Sequence, residues 1–149
     1  MREILFRGKS IKTNQWIYGG FHIWEKRQVC ALSNDSLKDD EISYVITVNS
    51  FADWNMPRTM QAVEVIADTV GQYTGLTDRN GRKIFEGDIV NILTENEEFG
   101  IITYDDGGFF VDASTFSVGF MNNINGSDIE VIDNIHDNPK ALKNLNQIK

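Results

Sequence analysis

Apolar and polar residues alternate in short runs along most of the chain. EILFRG, WIYGGFHIW and RQVCALS follow one another near the start, separated by brief polar breaks, and predict an N-terminal meander of β-strands. In WIYGGFHIW the period of two places Trp16, Tyr18, His22 and Trp24 on one face and Ile17, Phe21 and Ile23 on the other. Both faces are apolar or aromatic, so each is expected to be covered, by this chain or by a partner. Gly19-Gly20 predicts a bend, a bulge or a close approach of two backbones.

Residues 33–41 (SNDSLKDDE) read as a polar loop and ISYVITV as a strand. Residues 50–62 (SFADWNMPRTMQA) have no clean period and read as a loop or a short helix. In VEVIADTVGQYTGL strand character returns, with Val63, Val65 and Ala67 alternating against Glu64, Ile66 and Asp68. The next block, TDRNGRKIFEGDIVNIL, carries the strongest turn signals. Asn80-Gly81 fits the centre of a type I′ turn, and Glu86-Gly87-Asp88 marks a second tight turn before IVNIL. GIITYDD, a Gly107-Gly108 turn, FFVDAS and DIEVIDNI follow at short spacing.

Five short strands with turns about every ten residues predict a small closed antiparallel barrel over residues 69–136. Ile84, Ile89, Val90, Ile92, Ile102, Val111, Val131 and Ile132 are expected to supply much of its core. Asn138 as N-cap, Pro139 at the first helical position and Leu142, Leu145 and Ile148 on one side predict a short C-terminal helix. The fold class is therefore mainly β, with an N-terminal β region over residues 1–68 and a barrel plus helix over residues 69–149.

Composition agrees with folding: 41% hydrophobic and 24% charged residues are the balance of a globular chain. No apolar run approaches the roughly 20 residues of a membrane-spanning helix, and MREILFRGKS is no signal peptide, so a cytoplasmic location is expected. The net charge of −8 is unevenly spread. Residues 84–139 carry twelve acids and no Lys or Arg, a poor surface for gripping phosphates. The first twelve residues point the other way, with Arg2, Arg7, Lys9 and Lys12 against Glu3.

Candidate chemistry is sparse. Cys30 is the lone cysteine, which excludes an intrachain disulfide, and QVCAL reads as a strand burying a small thiol. His22 and His136 have no second His or Cys at metal-ligand spacing. Gly71-Gln-Tyr-Thr-Gly75 lacks the Lys and Ser/Thr of a phosphate loop. Asp78-Arg79-Asn80-Gly81 opens like a calcium loop but lacks the later bidentate acid, so it reads as a hairpin turn. Asp105, Asp106, Asp112, Asp128 and Glu130 could gather carboxylates for a metal, although acids at turns and on solvated strand faces are ordinary. No catalytic residue, metal site or cofactor is assigned.

RGKSIKTNQWIYG, VGQYTGLTDRNGRKIFEGDIV, GIITYDDGGFFV and EVIDNIHDNP, in that order, resemble the YopX family of small phage and prophage proteins. The resemblance covers residues 2–24 and 69–139 and is weak over residues 33–62. It implies a Src-homology-3-like barrel with an added N-terminal β region, and it supplies no catalytic residue and no cofactor. Gly71, Gly75, Asn80, Gly81, Gly87 and Asp88 keep their structural reading as turn residues.

The least ordinary feature is the aromatic set Trp16, Tyr18, Trp24 and Trp54. Packed in a core they would be unremarkable; at a surface they suit an interface. The expected function is a non-catalytic interaction or assembly protein, with this chain itself as partner, or a host or phage protein. Trp16, Tyr18, Trp24, Arg7, Lys9 and Lys12 are its candidate interface, and Trp16 is expected to matter more than Lys12. The alternatives are nucleic-acid engagement through the basic N-terminus, an acidic mimic of DNA acting on a host factor, and a metal-dependent hydrolase.

Overall fold

The structure is a computed structural model, which describes residues 1–93, 98–113, 117–119 and 125–141. The chain is mainly β, and every pairing within its two compact units is antiparallel. One unit is Leu5–Val70; the other joins Met1–Ile4 to Gly71–Lys149.

The N-terminal unit contains β1 (Phe6–Lys9), β2 (Trp16–Glu25), β3 (Ile42–Asn49) and β4 (Met60–Glu64), in the order β4-β3-β2-β1. The β-branched run of β3 suits the centre of this sheet, and Ile46 and Val45 are buried there. Beyond β4 the chain returns to β1 through a Ser10–Val65 bridge. The Ile11 N–H donates to Glu64 O at 3.1 Å and the Ile66 N–H to Lys9 O at 2.8 Å. Phe21 lies between Phe6 and Tyr44, with ring centroids 5.4 and 6.3 Å away. Gly19 provides a close backbone approach: a Cβ there would stand 2.0 Å from Thr47 O.

One expectation fails in this unit. RQVCALS is not a strand, because β2 ends at Glu25 and residues 26–38 form a loop that leaves Cys30 exposed. The loop is organised around Arg27, which donates from Nη1 to Asp35 Oδ2 at 2.7 Å and from Nε to Glu41 Oε1. These polar anchors, invisible to strand periodicity, carry the chain from β2 to β3. Within this chain β2 is only partly covered, since Tyr18, Ile23 and Trp24 each remain about half exposed.

The hydrogen bonds from Arg27 hold the Asp35 and Glu41 carboxyls below their ordinary range. Groups depressed on folding stabilise above the unfolded carboxylate range and lose that contribution as pH falls through the depressed values. The loop is therefore expected to loosen below about pH 4, with the Lys38 amide, whose N–H donates to Glu41 Oε2, losing protection against exchange relative to an unfolded peptide at the same pH. Protection at Lys38 that is unchanged by acidification would contradict this.

The C-terminal unit holds a hairpin of β5 (Gly71–Thr77) and β6 (Lys83–Phe85), and a five-stranded sheet in the order β10-β9-β8-β7-β11. Its strands are β7 (Asp88–Ile92), β8 (Glu98–Asp105), β9 (Gly108–Ala113), β10 (Ser117–Gly119) and β11 (Ile129–Asn134). The closed barrel is not found among the described residues: β10 and β11 stand at opposite ends of the sheet order. Seven of the eight expected core residues are buried. Ile132 is the exception, at 40% exposure: it follows the inward-facing Val131 and alternates outward, and the bulge between Val131 and Asp133 then turns Asn134 inward. The described chain ends with the Ala141 N–H donating to Asn138 O; the expected helical face of Leu142, Leu145 and Ile148 lies outside the described residues.

The turns fall differently from expectation. Asn80 has no positive φ, so Asn80-Gly81 is not a type I′ turn. Asp78 pairs with Arg82, the Gly81 N–H donates to Asp78 O at 2.9 Å, and Gly81 alone is left-handed at φ 80°. This is the three-residue hairpin in which a type I turn is followed by a glycine bulge. The type I′ turn instead lies at Asp106-Gly107, with φ of 44° and 78° between the paired residues Asp105 and Gly108. Gly81→Val is expected to cost about 1–2 kcal/mol in a denaturation experiment, from backbone strain alone, because a Cβ there meets nothing within 4 Å. A change within about 0.5 kcal/mol would contradict the left-handed assignment.

Candidate functional site

The residues singled out by sequence separate into different environments. Arg7 and Lys9 are buried, while Lys12 is exposed. The strand register Arg7↔Tyr18 and Lys9↔Trp16 sets these side chains on one face. The Arg7 guanidinium lies 4.6 Å from the Trp16 ring centre and the Lys9 ammonium 5.4 Å from it. Trp16 is thus half-buried and engaged within its own unit, and the N-terminal bases do not form a solvent-facing basic stripe.

The exposed apolar surface lies elsewhere in the unit. The loop between β3 and β4 presents Phe51 at 95%, Trp54 at 92%, Met56 at 65% and, at the start of β4, Met60 at 79% exposure. The loop has a built base. The Ser50 N–H donates to Thr59 O at 2.8 Å, and the two hydroxyls are 2.6 Å apart. Inside it, Asp53 accepts from the Trp54 N–H at Oδ1 and from the Met56 N–H at its backbone oxygen. The aromatics are therefore held out by a hydrogen-bonded loop. Absence of periodicity marked this loop in the sequence, but only Trp54 was singled out there.

The same unit carries a groove of about 330 Å³ lined by Ile11, Lys12, Trp24, Val45 and Val63, among others. Trp24, a candidate interface residue, forms part of its wall and is half exposed. Tyr18 is half exposed on β2.

The turn residues of the C-terminal unit are structural in different ways. Gly75 and Gly87 have positive φ, 91° and 81°. Gly71 does not; it permits a close approach, since a Cβ would stand 2.6 Å from Glu86 O. Asp88 is buried and accepts from the Phe85 N–H at 2.8 Å, closing the turn that Gly87 makes possible. Asp78, read in the sequence as part of a hairpin turn, also ties that turn to β11. It is buried and accepts from the Asn80, Arg82 and Val131 N–H groups at 2.9, 2.8 and 3.1 Å.

The acids considered for chemistry do not converge. Asp105 Oδ1 accepts from the Asp106 N–H at the β8–β9 tip, Asp112 is exposed on β9, and Asp128 accepts from the Asn125 N–H. Glu130 accepts from the Asn80 amide at 2.9 Å. Among the described residues no three His, Cys, Asp or Glu groups are placed to hold a metal. No helix among them is long and apolar enough to cross a membrane.

No curated protein matches the chain. Among solved structures, the crystal structure of protein EF1440 from Enterococcus faecalis is similar over 95% of this chain and 99% of that one, with a TM-score of 0.50. At 22% identity the likeness concerns the fold alone. The family model described as YopX protein matches residues 5–143, nearly the whole length, and on that match this chain belongs to the YopX family.

Proposed function

We propose that this protein is a non-catalytic accessory component of a phage or prophage, acting in the host cytoplasm through protein–protein contact, with a second copy of itself as partner. The C-terminal strands serve in this reading as a Src-homology-3-like module. The observation that carries the proposal is the loop of Phe51, Trp54 and Met56, held out into water by its own hydrogen bonds. Exposed Trp, Phe and Met are the residue types that anchor interfaces.

Charge favours self-association through the N-terminal unit. Copies approaching by residues 84–139 would oppose twelve acids with no Lys or Arg, whereas residues 5–70 carry eight acids and seven bases. The unit also offers a receiver, the groove walled by Ile11, Trp24 and Val63. Loop of one copy in groove of the next gives a heterologous contact, which closes as a ring or extends. The nucleic-acid alternative draws less support, because Arg7 and Lys9 are buried.

Tryptophan emission tests this. Diluting the protein from high micromolar to nanomolar concentration should red-shift the emission as Trp54 returns to water, and Phe51→Ser with Trp54→Ser should abolish the shift. Lys12→Ala and added salt should weaken assembly only in part. Emission independent of dilution would refute the proposal.

A further inference from the structure

The C-terminal unit contains a concavity that assembly through the N-terminal unit does not use. Gln72, Thr74 and Leu76 line it from alternate positions of β5. Opposite them stands the cross-strand pair Tyr104–Phe109, with ring centroids 5.0 Å apart at 64°. Gly107 and Gly108, at the end of the β8–β9 hairpin, contribute no side chain and leave the cleft open at about 400 Å³. That volume is within the range of small-ligand sites.

Arg2 completes the lining. Its Cδ lies 3.7 Å from where a Cβ on Gly75 would be, so the left-handed glycine of β5 gives the arginine stem its seat. The neighbouring Glu3 ties this segment to β6 through an ion pair with Lys83 at 2.6 Å. Thr74 Oγ1 is already used, donating to Ile84 O. Among the described residues, the Arg2 guanidinium, the Gln72 carboxamide and the Tyr104 hydroxyl make no hydrogen bond to the protein. A cation and a half-exposed aromatic ring thus line the same cleft, and among the described residues that cation has no acid partner.

We propose that this cleft binds a planar aromatic anion, a ring bearing a carboxylate or a phosphate. The ring lies against Tyr104 and Phe109, and the anionic group takes the planar fork of Arg2, a geometry that matches either headgroup. The Tyr104 hydroxyl and Gln72 amide orient the polar edge. The site is independent of the assembly surface, so either proposal can fail alone.

Calorimetric titration of the intact protein with adenosine monophosphate, phenylacetate and inorganic phosphate tests it. At least one aromatic probe should saturate at one molecule per chain, and comparison of the two identifies the preferred headgroup. Inorganic phosphate alone should not saturate over the same range. Arg2→Ala and Tyr104→Ala should each weaken binding about tenfold with unchanged melting, since both side chains are exposed. In nuclear magnetic resonance spectra the Gly107 and Gly108 amides should shift on binding. No saturable binding of either aromatic probe, affinity untouched by both substitutions, or phosphate binding as tightly as the aromatic probes would overturn the proposal.

Discussion

Replacing Asp78 by alanine is expected to destabilise the C-terminal unit by about 3–4 kcal/mol. The carboxylate accepts three backbone N–H groups, two within its own hairpin loop and one, on Val131, from β11. The Val131 bond is buried, so its donor is left in the interior with no water to replace the lost oxygen. The Asn80 and Arg82 donors are part-buried, and water compensates them in part. Each orphaned group costs about 1–3 kcal/mol, which sets the total. Asp78→Asn should cost less, about 2 kcal/mol, because one oxygen survives while an amide group faces another donor. Denaturant unfolding of the three proteins checks the order. An alanine variant as stable as the parent would show that the carboxylate does not staple the loop to β11.

Gly19→Ala is the matching expectation for the N-terminal unit, at about 3 kcal/mol or more. The added methyl would stand 2.0 Å from Thr47 O and 3.0 Å from Ile46 Cγ2. Thr47 and Ile46 pair with Gly20 and Phe21 across the β2–β3 ladder, so that oxygen cannot retreat without breaking strand pairing. Gly20 supplies the control. A Cβ there meets the Thr47 hydroxyl at 2.9 Å, a side chain that can rotate away. Gly20→Ala should therefore cost under about 1 kcal/mol. Equal losses at the two positions would contradict the close-approach account.

Strands β8 and β9 were legible in the sequence because period-two alternation reports burial directly, and the core residues Ile102 and Val111 follow from it. What escaped was what alternation does not encode. Asn134 is buried because of a bulge between Val131 and Asp133, set by pairing with β7, a partner more than thirty residues away. Asn80-Gly81 and Asp106-Gly107 are both recognised hairpin dipeptides, and the type I′ turn went to the second. At the first, the Asp78 carboxylate bonds the Asn80 and Arg82 N–H groups and holds the longer loop. Arg7 and Lys9 counted as surface charge in the sequence, yet they are buried and close to the Trp16 ring. Of the aromatic candidates, Tyr18, Trp24 and Trp54 remain exposed, and Phe51 joins Trp54 in the same loop. The signal for that loop was present as a cluster of Phe, Trp and Met with no period to bury them.

Sedimentation at micromolar concentration decides whether copies of this chain meet through the N-terminal unit. A mass above that of one 16.9 kDa chain is expected, falling to one chain when Phe51 and Trp54 are replaced by serine with melting unchanged. A parent protein that sediments as a single 16.9 kDa species across the whole concentration range would contradict it.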